Sequence, residues 1–354
     1  MSSKMNPNQS DESSTPSRVI RVAVEDDDRV PDWMVWTLVL MLIGLAYLWR
    51  PSYAAHLLVM AGIYLLLSTS LNLVAGLGGL ISFCHAAFYG IGAYTYAVLR
   101  LQSGAAGDQA SQMIWTAGWS FFPALLAATI AGGLFGWLVA LVTLRFRGDY
   151  FVFATLGIQM IVFAILYNWV ELARGPYGIY GIARPDLFGW RPRQPWEYML
   201  LFAPMVLLAT GLMYWLYQSM FGLKLKMIRE DERAAWSIGV ETKLVARNAM
   251  AISAAYAAFA GALYASYVTY IDPTSFSLSE SIFLVALLML GGGGNLTGPV
   301  IGTLIMISLP EILRFVGLPN SVAANVREII YGGMLVALMY WRPQGIAGER
   351  MVDG

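Results

Sequence analysis

Charge is scarce in this sequence. Asp, Glu, Lys and Arg make up 12% of its 354 residues, about half the share of a soluble domain. The 22 basic residues are balanced by 22 acidic ones, so no net positive field exists to attract nucleic acid. There is a single cysteine, Cys84, which cannot close an intrachain disulfide, and no CxxC or Cys/His zinc spacing occurs. The two histidines, His56 and His85, are too few for a histidine-based metal or catalytic constellation. Walker A, HExxH, GxSxG and paired-carboxylate patterns are all missing. No catalytic residue, metal site or cofactor is expected, and the chain does not read as an enzyme. Residues 1–30 lack the apolar stretch of a signal peptide. The apolar runs at 54–99, 121–143, 151–169, 198–217, 248–269 and 281–309 contain no Asp, Glu, Lys or Arg. A proton relay through intramembrane carboxylates is therefore excluded within them, and uphill transport would need energy from another subunit.

Apolar side chains fill the space left by charge. They account for 58% of the chain, more than one globular core can bury, so lipid is the expected solvent. Runs near the ~20 residues that cross a bilayer occur at roughly 33–49, 54–75, 79–99, 121–143, 151–169, 198–217, 248–269, 281–308 and 325–341. Trp33, Trp49, Tyr150, Trp169, Trp196, Tyr217 and Trp341 lie near their ends, where interfacial aromatics belong. The expected fold is an all-α integral membrane protein: a polytopic helical bundle of about 8–10 spans with broken or re-entrant glycine-rich segments and internal repeats. Residues 1–31 read as a disordered cytoplasmic tail, 32–345 as the transmembrane domain and 346–354 as a short cytoplasmic tail. Basic residues at 145–147, 218–247 and 342 place those segments in the cytoplasm. Alternation then puts 100–120 and the arginine-bearing 170–197 outside.

Two apolar segments are interrupted. In "GLISFCHAAFYGIGAYTYA" (79–97), glycines and His85 stand inside a hydrophobic run. In 281–309, Gly291–Gly294 and Asn295 divide two apolar halves of about 11 residues, each roughly 16 Å long at 1.5 Å per residue. That length covers half a bilayer, so a re-entrant hairpin or broken helix is expected there. Paired glycine-interrupted segments in the two halves of a chain point to a transporter pathway. The alternative is that the glycines only let helices pack closely. Pathway or helix-break candidates are His85, Tyr89, Gly90, Gly92, Gly292, Gly293 and Asn295. His85 is either pathway-lining or an inter-helix hydrogen-bonding brace. Asn295 and Thr297 are expected to satisfy backbone groups freed at the break.

The longest basic loop, 218–247, contains "IREDERAAWSIGVETKL" (228–244). The pattern predicts one short amphipathic helix with Glu230, Asp231 and Glu232 in its first turn. Ala234, Ala235, Trp236 and Ile238 would form its apolar face, and Gly239 would follow its C-terminus. A helix this short needs a surface to dock on, either a partner protein or the membrane.

"LNLVAGLGGLISFCHAAFYGIGAY" (71–94), "RGDYFVFATLGI" (147–158), "GPYGI" (175–179), residues 228–265, "GGGGNLTGPVIGT" (291–303) and "RPQGIAG" (342–348) occur together in this order. In these segments the chain resembles the permease subunits of branched-chain amino acid ABC importers, of the LivM/LivH type and closer to LivM. The resemblance implies a multi-pass protein of the bacterial inner membrane that works with a second, LivH-like permease subunit, two cytoplasmic ABC ATPases and a periplasmic solute-binding protein, surrounded by membrane lipid. It also implies that Glu232, Ala234, Ala235 and Gly239 belong to an ATPase-coupling region. The implied solutes are leucine, isoleucine and valine, or a related small polar solute. Urea or short amides, and a stand-alone facilitator or channel, remain alternatives.

Overall fold

The computed structural model describes residues 52–101, 117–186, 190–315 and parts of 326–348. The tail 1–31, the run 33–49, most of the loop 100–120, most of the run 325–341 and Arg342 lie outside the described residues. Helix α1 spans Ser52–Asn72 and continues into a π-helical turn, Leu73–Leu77. Next come α2 (His85–Arg100), α3 (Phe121–Thr143), α4 (Asp149–Asn168) and α5 (Pro195–Gln218). Two short helices, α6 (Met220–Glu230) and α7 (Glu232–Ser237), precede α8 (Thr242–Val268). The hairpin-like pair α9 (Leu278–Gly291) and α10 (Thr297–Phe315) follows. Strand β1 (Ile179–Tyr180) pairs antiparallel with β2 (Tyr270–Ile271).

Among the described residues five helices are long and apolar enough to cross a membrane: Ser52–Leu77, Phe121–Thr143, Asp149–Asn168, Pro195–Gln218 and Thr242–Val268. They match the expected runs closely. The run 79–99 differs, because residues 79–84 are not helical and α2 starts only at His85. The run 281–308 divides into α9 and α10 around the turn at 292–296. Non-helical backbone at membrane depth is tolerated where protein encloses it, and Ser82 and Cys84 are fully buried.

Helix α8 occupies the centre. Its buried face is mostly alanine (Ala249, Ala254, Ala257, Ala258, Ala262, Ala265), and small residues let helix backbones approach. Neighbouring glycines use that space. A Cβ at Gly132 of α3 would lie 2.1 Å from the Ala258 Cβ, and one at Gly92 of α2 would lie 2.1 Å from the Ala258 carbonyl oxygen. Helix α3 turns Leu126, Leu134 and Val142 outward, an arrangement suited to lipid.

Loops gather on two faces. Arg147, between α3 and α4, pairs with Glu232 of α7 at 3.3 Å, which puts the loop at 145–147 and the segment 218–247 on one basic face. On the opposite face Arg100 is buried and donates to the Trp119, Ala183 and Arg184 carbonyls. The arginine-bearing loop 170–197 thus lies opposite 145–147, and Arg191 there pairs with Asp186 at 2.9 Å.

Residues 228–244 do not form one helix, contrary to the sequence expectation. Glu230 ends α6 and Asp231 is extended, with its side chain accepting from Arg233 N at 2.7 Å and Ala234 N at 3.1 Å. Aspartate is among the best N-cap residues, and here capping starts a new helix. The expected apolar face is also split. Ala235 is buried, whereas Ala234 is exposed and Trp236 and Ile238 are 72% and 69% exposed.

Candidate translocation pathway and coupling segment

The two interrupted segments meet at Asn72, where α1 passes into its π-helical turn. The Asn72 Oδ1 accepts from Gly294 N at 3.0 Å. Its Nδ2 donates to the Asn295 carbonyl at 2.7 Å and to the Tyr217 hydroxyl at 3.2 Å. One buried amide therefore satisfies backbone groups of a turn 223 residues away. Glycine is needed for the approach: a Cβ on Gly76 would lie 2.7 Å from Gly294 N, and one on Gly293 would lie 2.8 Å from the Gly76 Cα. Gly292 and Gly294 have φ of +95° and +101°, angles that side-chain-bearing residues rarely adopt. Asn295 lies two residues before α10, its Oδ1 accepting from Gly298 N in the first turn at 3.0 Å, while its Nδ2 donates to the Ala347 carbonyl. Ile346 N and Ala347 N donate to the Leu290 and Gly291 carbonyls at 3.1 and 2.9 Å. Packed structure therefore extends past residue 345, and 346–347 serve the turn.

The start of α2 is handled differently. The first N–H groups of a helix lack intrahelical partners. Here Ala86 N donates to Ser281 Oγ at 3.1 Å and Ala87 N to Gln159 Oε1 at 2.7 Å. Gln159 Nε2 in turn donates to the Phe276 carbonyl at 2.8 Å. His85 is buried, with Nε2 2.8 Å from Ser253 Oγ. The Ser253 hydroxyl donates its one proton to the Ser70 carbonyl, so it can only accept from the histidine. Nε2 therefore carries the proton, and Nδ1 is left as a buried acceptor with no partner among the described residues. In this geometry His85 braces α2 to α8 and α1.

Tyr89 packs against Tyr264 and Phe276, with ring centroids 5.5 and 5.0 Å away. Gly90 and Gly92 lie inside α2 rather than at its broken end. A Cβ at Gly90 would approach Phe276 Cγ to 3.0 Å, so both glycines serve close packing. The structure thus brings Gly292, Gly293 and Asn295 together with Asn72 and Gly76, and keeps Tyr89, Gly90 and Gly92 at another level.

The segment 228–244 is tied to the same junction. Arg229, in the last turn of α6, donates from Nη1 to the Gly76 carbonyl at 2.7 Å. Glu232 accepts from Thr242 Oγ1 at 3.3 Å besides pairing with Arg147. Ala235 packs with Leu225, Val240 and Tyr217. Gly239 has φ +87° and ends α7, with its N–H donating to the Trp236 carbonyl at 3.0 Å. A continuous path of contacts therefore runs from α7 through α6 and Gly76 to the turn at 292–296.

Asn72, Ser253, Gln159 and Arg229 carry this architecture without being among the sequence candidates, and Tyr217, expected as an interfacial aromatic, is instead buried with its hydroxyl bonded to Asn72 and the Thr69 carbonyl. A usable signal existed for three of them: Asn72, Gln159 and Ser253 are polar groups in apolar runs, which must find partners once buried. Glu280 stands one residue before the apolar run that starts at 281, so the run alone does not include it. It lies instead in the first turn of α9. Among the described residues no group of three His, Cys, Asp or Glu could hold a metal.

Residues 53–339 match the family described as "Branched-chain amino acid transport system / permease component". The chain belongs to this family. Members of the family are transport permeases rather than catalysts, and the long apolar helices make this one a multi-pass membrane protein. Its relatives include the high-affinity branched-chain amino acid transport system permease protein LivM of Escherichia coli (strain K12), 31% identical over 307 residues, covering 80% of this chain and 67% of that one. The probable LivM of Methanocaldococcus jannaschii is 26% identical over 326 residues, covering 82% and 92%. LivH of Salmonella typhimurium is 26% identical over 307 residues, again covering 82% and 92%. No solved structure matches the chain.

Proposed function

We propose that this chain is one of two permease subunits of an ATP-driven importer in the bacterial inner membrane, carrying leucine, isoleucine and valine. A LivH-like subunit completes the pathway, two cytoplasmic ATPases supply energy, and a periplasmic protein delivers solute. The observation that carries the reading, within this family, is the link from α7 to the turn at 292–296. On the basic face α7 presents Trp236 and Ile238, 72% and 69% exposed, as the contact for an ATPase. Residues 218–247 are the coupling loop, and Glu232, Ala234, Ala235 and Gly239 shape it. Behind them, Arg229 and Gly76 pass its displacement to the junction of the broken segments. Rigid elements joined by hydrogen bonds are how such coupling travels. In this reading the tail 1–31 is cytoplasmic and residues 346–354 end on the same side.

The test is co-purification and uptake. Ile238→Asp and Trp236→Ala should each leave the chain in the membrane, reduce ATPase recovered with it at least tenfold, and abolish leucine uptake. Undiminished uptake by these variants, or leucine flux through the purified chain without ATPases, would establish a facilitator instead. Uptake of urea or short amides but not leucine would reassign the solute.

A further inference from the structure

Helix α9 starts deep in the molecule. Its Ser281 contacts the first turn of α2 at Ala86, and α2 runs on for 14 residues to Arg100 at the face opposite the basic one. At 1.5 Å per residue that is about 21 Å. Glu280, next to Ser281, is therefore a carboxylate at membrane depth, where an ionisable side chain marks function by default. One turn further along α9, Phe283 packs edge-on against Tyr64 of α1, with ring centroids 5.5 Å apart. The Glu280 Oε1 is enclosed and has no hydrogen-bond partner among the described residues. No ion pair among those residues includes it.

Around it stands an aromatic wall. Tyr89 lies one turn along α2 from Ala86, which Ser281 contacts, and Tyr264 of α8 packs against it. Their rings are 5.5 Å apart, and Phe276 lies 5.0 Å from Tyr89 and 6.3 Å from Tyr264. Tyr94 closes the far side, 5.8 Å from Phe276, with a buried hydroxyl that lacks a partner. An unsatisfied carboxylate oxygen near π faces and phenol oxygens offers acceptors and negative potential, and among the described residues no cation pairs with it. An alkylammonium supplies what is missing: three N–H donors and a positive charge that aromatic faces attract. A neutral amide or urea brings no charge to offset the buried carboxylate.

We propose that Glu280, with Tyr64, Tyr89 and Tyr264, receives the primary ammonium group of the solute during its passage. The inference rests on the amino-acid reading above and locates a step of it. Glu280 Oε1 and the tyrosine hydroxyls accept from the ammonium, while the rings border its aliphatic part.

The complete importer in liposomes tests this, with radiolabelled leucine uptake and ATP hydrolysis measured together. Glu280→Gln keeps the size but removes the charge. It should lower leucine moved per ATP hydrolysed at least tenfold, while subunit assembly and basal hydrolysis stay within twofold of wild type. Glu280→Asp should fall between the two. Leucine binding to the detergent-solubilised complex without the binding protein should weaken about tenfold in Glu280→Gln. Binding of the 2-hydroxy analogue, which lacks the ammonium, should not weaken. Leucine transport by Glu280→Gln within twofold of wild type overturns the ammonium site and leaves the amino-acid permease standing. A wild-type complex that moves a short amide but no leucine overturns both. Should Glu280→Gln fail to assemble, Tyr89→Phe and Tyr264→Phe keep the rings and decide the matter. A threefold or greater loss in leucine binding is expected for each, and unchanged binding in both refutes the proposal.

Discussion

Single polar side chains do most of the long-range work in this bundle. Asn72 serves Gly294, Asn295 and Tyr217 at once. Leaving a buried donor or acceptor unpaired costs about 1–3 kcal/mol per group. Asn72→Ala orphans an N–H and a carbonyl at the turn, so it should lower the thermal midpoint of the detergent-solubilised protein by several degrees. Fluorescence-detected size exclusion after heating measures that shift. Position 85 makes a finer distinction. His85→Gln retains a donor toward Ser253 and should keep measurable uptake, whereas His85→Ala should lose stability to the same extent as Ser253→Ala. If His85→Ala and Ser253→Ala add fully in the double variant, the two side chains are not coupled.

At the scale of elements, the packing of α8 against α2 and α3 depends on residues that are barely there. Gly136→Val, with a Cβ site 2.2 Å from the Ala254 Cβ, must push α3 from α8. Overpacking of this kind typically costs 1–3 kcal/mol, and the expected result is poor accumulation of folded protein in membranes. Gly157 of α4 meets nothing within 4 Å, so Gly157→Val should accumulate normally, and quantitative immunoblotting of the membrane fraction separates the two. Composition made the long helices legible, because ~20 apolar residues in a row have few other uses. The glycine run at 291–294 likewise announced a break. The division at Asp231 was not legible, since an acidic residue suits a first helical turn and an N-cap equally well. Only the extended backbone of Asp231 distinguishes the two. The depth of α2 was also hidden, because residues 79–84 are as apolar as a helix yet are held non-helical by contacts to Val74 and Thr155.

At the scale of the molecule, the basic face and the broken segments form one mechanical unit through Arg229. Its guanidinium reaches Gly76 and pairs with Glu230 at 2.8 Å. Arg229→Ala should leave the ATPases attached and hydrolysing, yet uncouple them, with leucine uptake down at least tenfold at near-normal hydrolysis. Simultaneous assays of phosphate release and uptake in proteoliposomes check this. Such a link could not be read from one sequence, because it joins residues 153 positions apart and neither position stands out by type.

The strip at 345–348 has a consequence for biosynthesis. Gly345 sits so close to the glycine turn that a Cβ there would meet the Gly292 Cα at 2.5 Å, and Ile346 and Ala347 close the carbonyls of Leu290 and Gly291. The turn at 292–296 is therefore complete only once residues 345–347 have been synthesised and docked on it. A chain cut before residue 345 would leave the Leu290 and Gly291 carbonyls and the Asn295 Nδ2 without these partners, a defect confined to a turn that is laid down some fifty residues earlier.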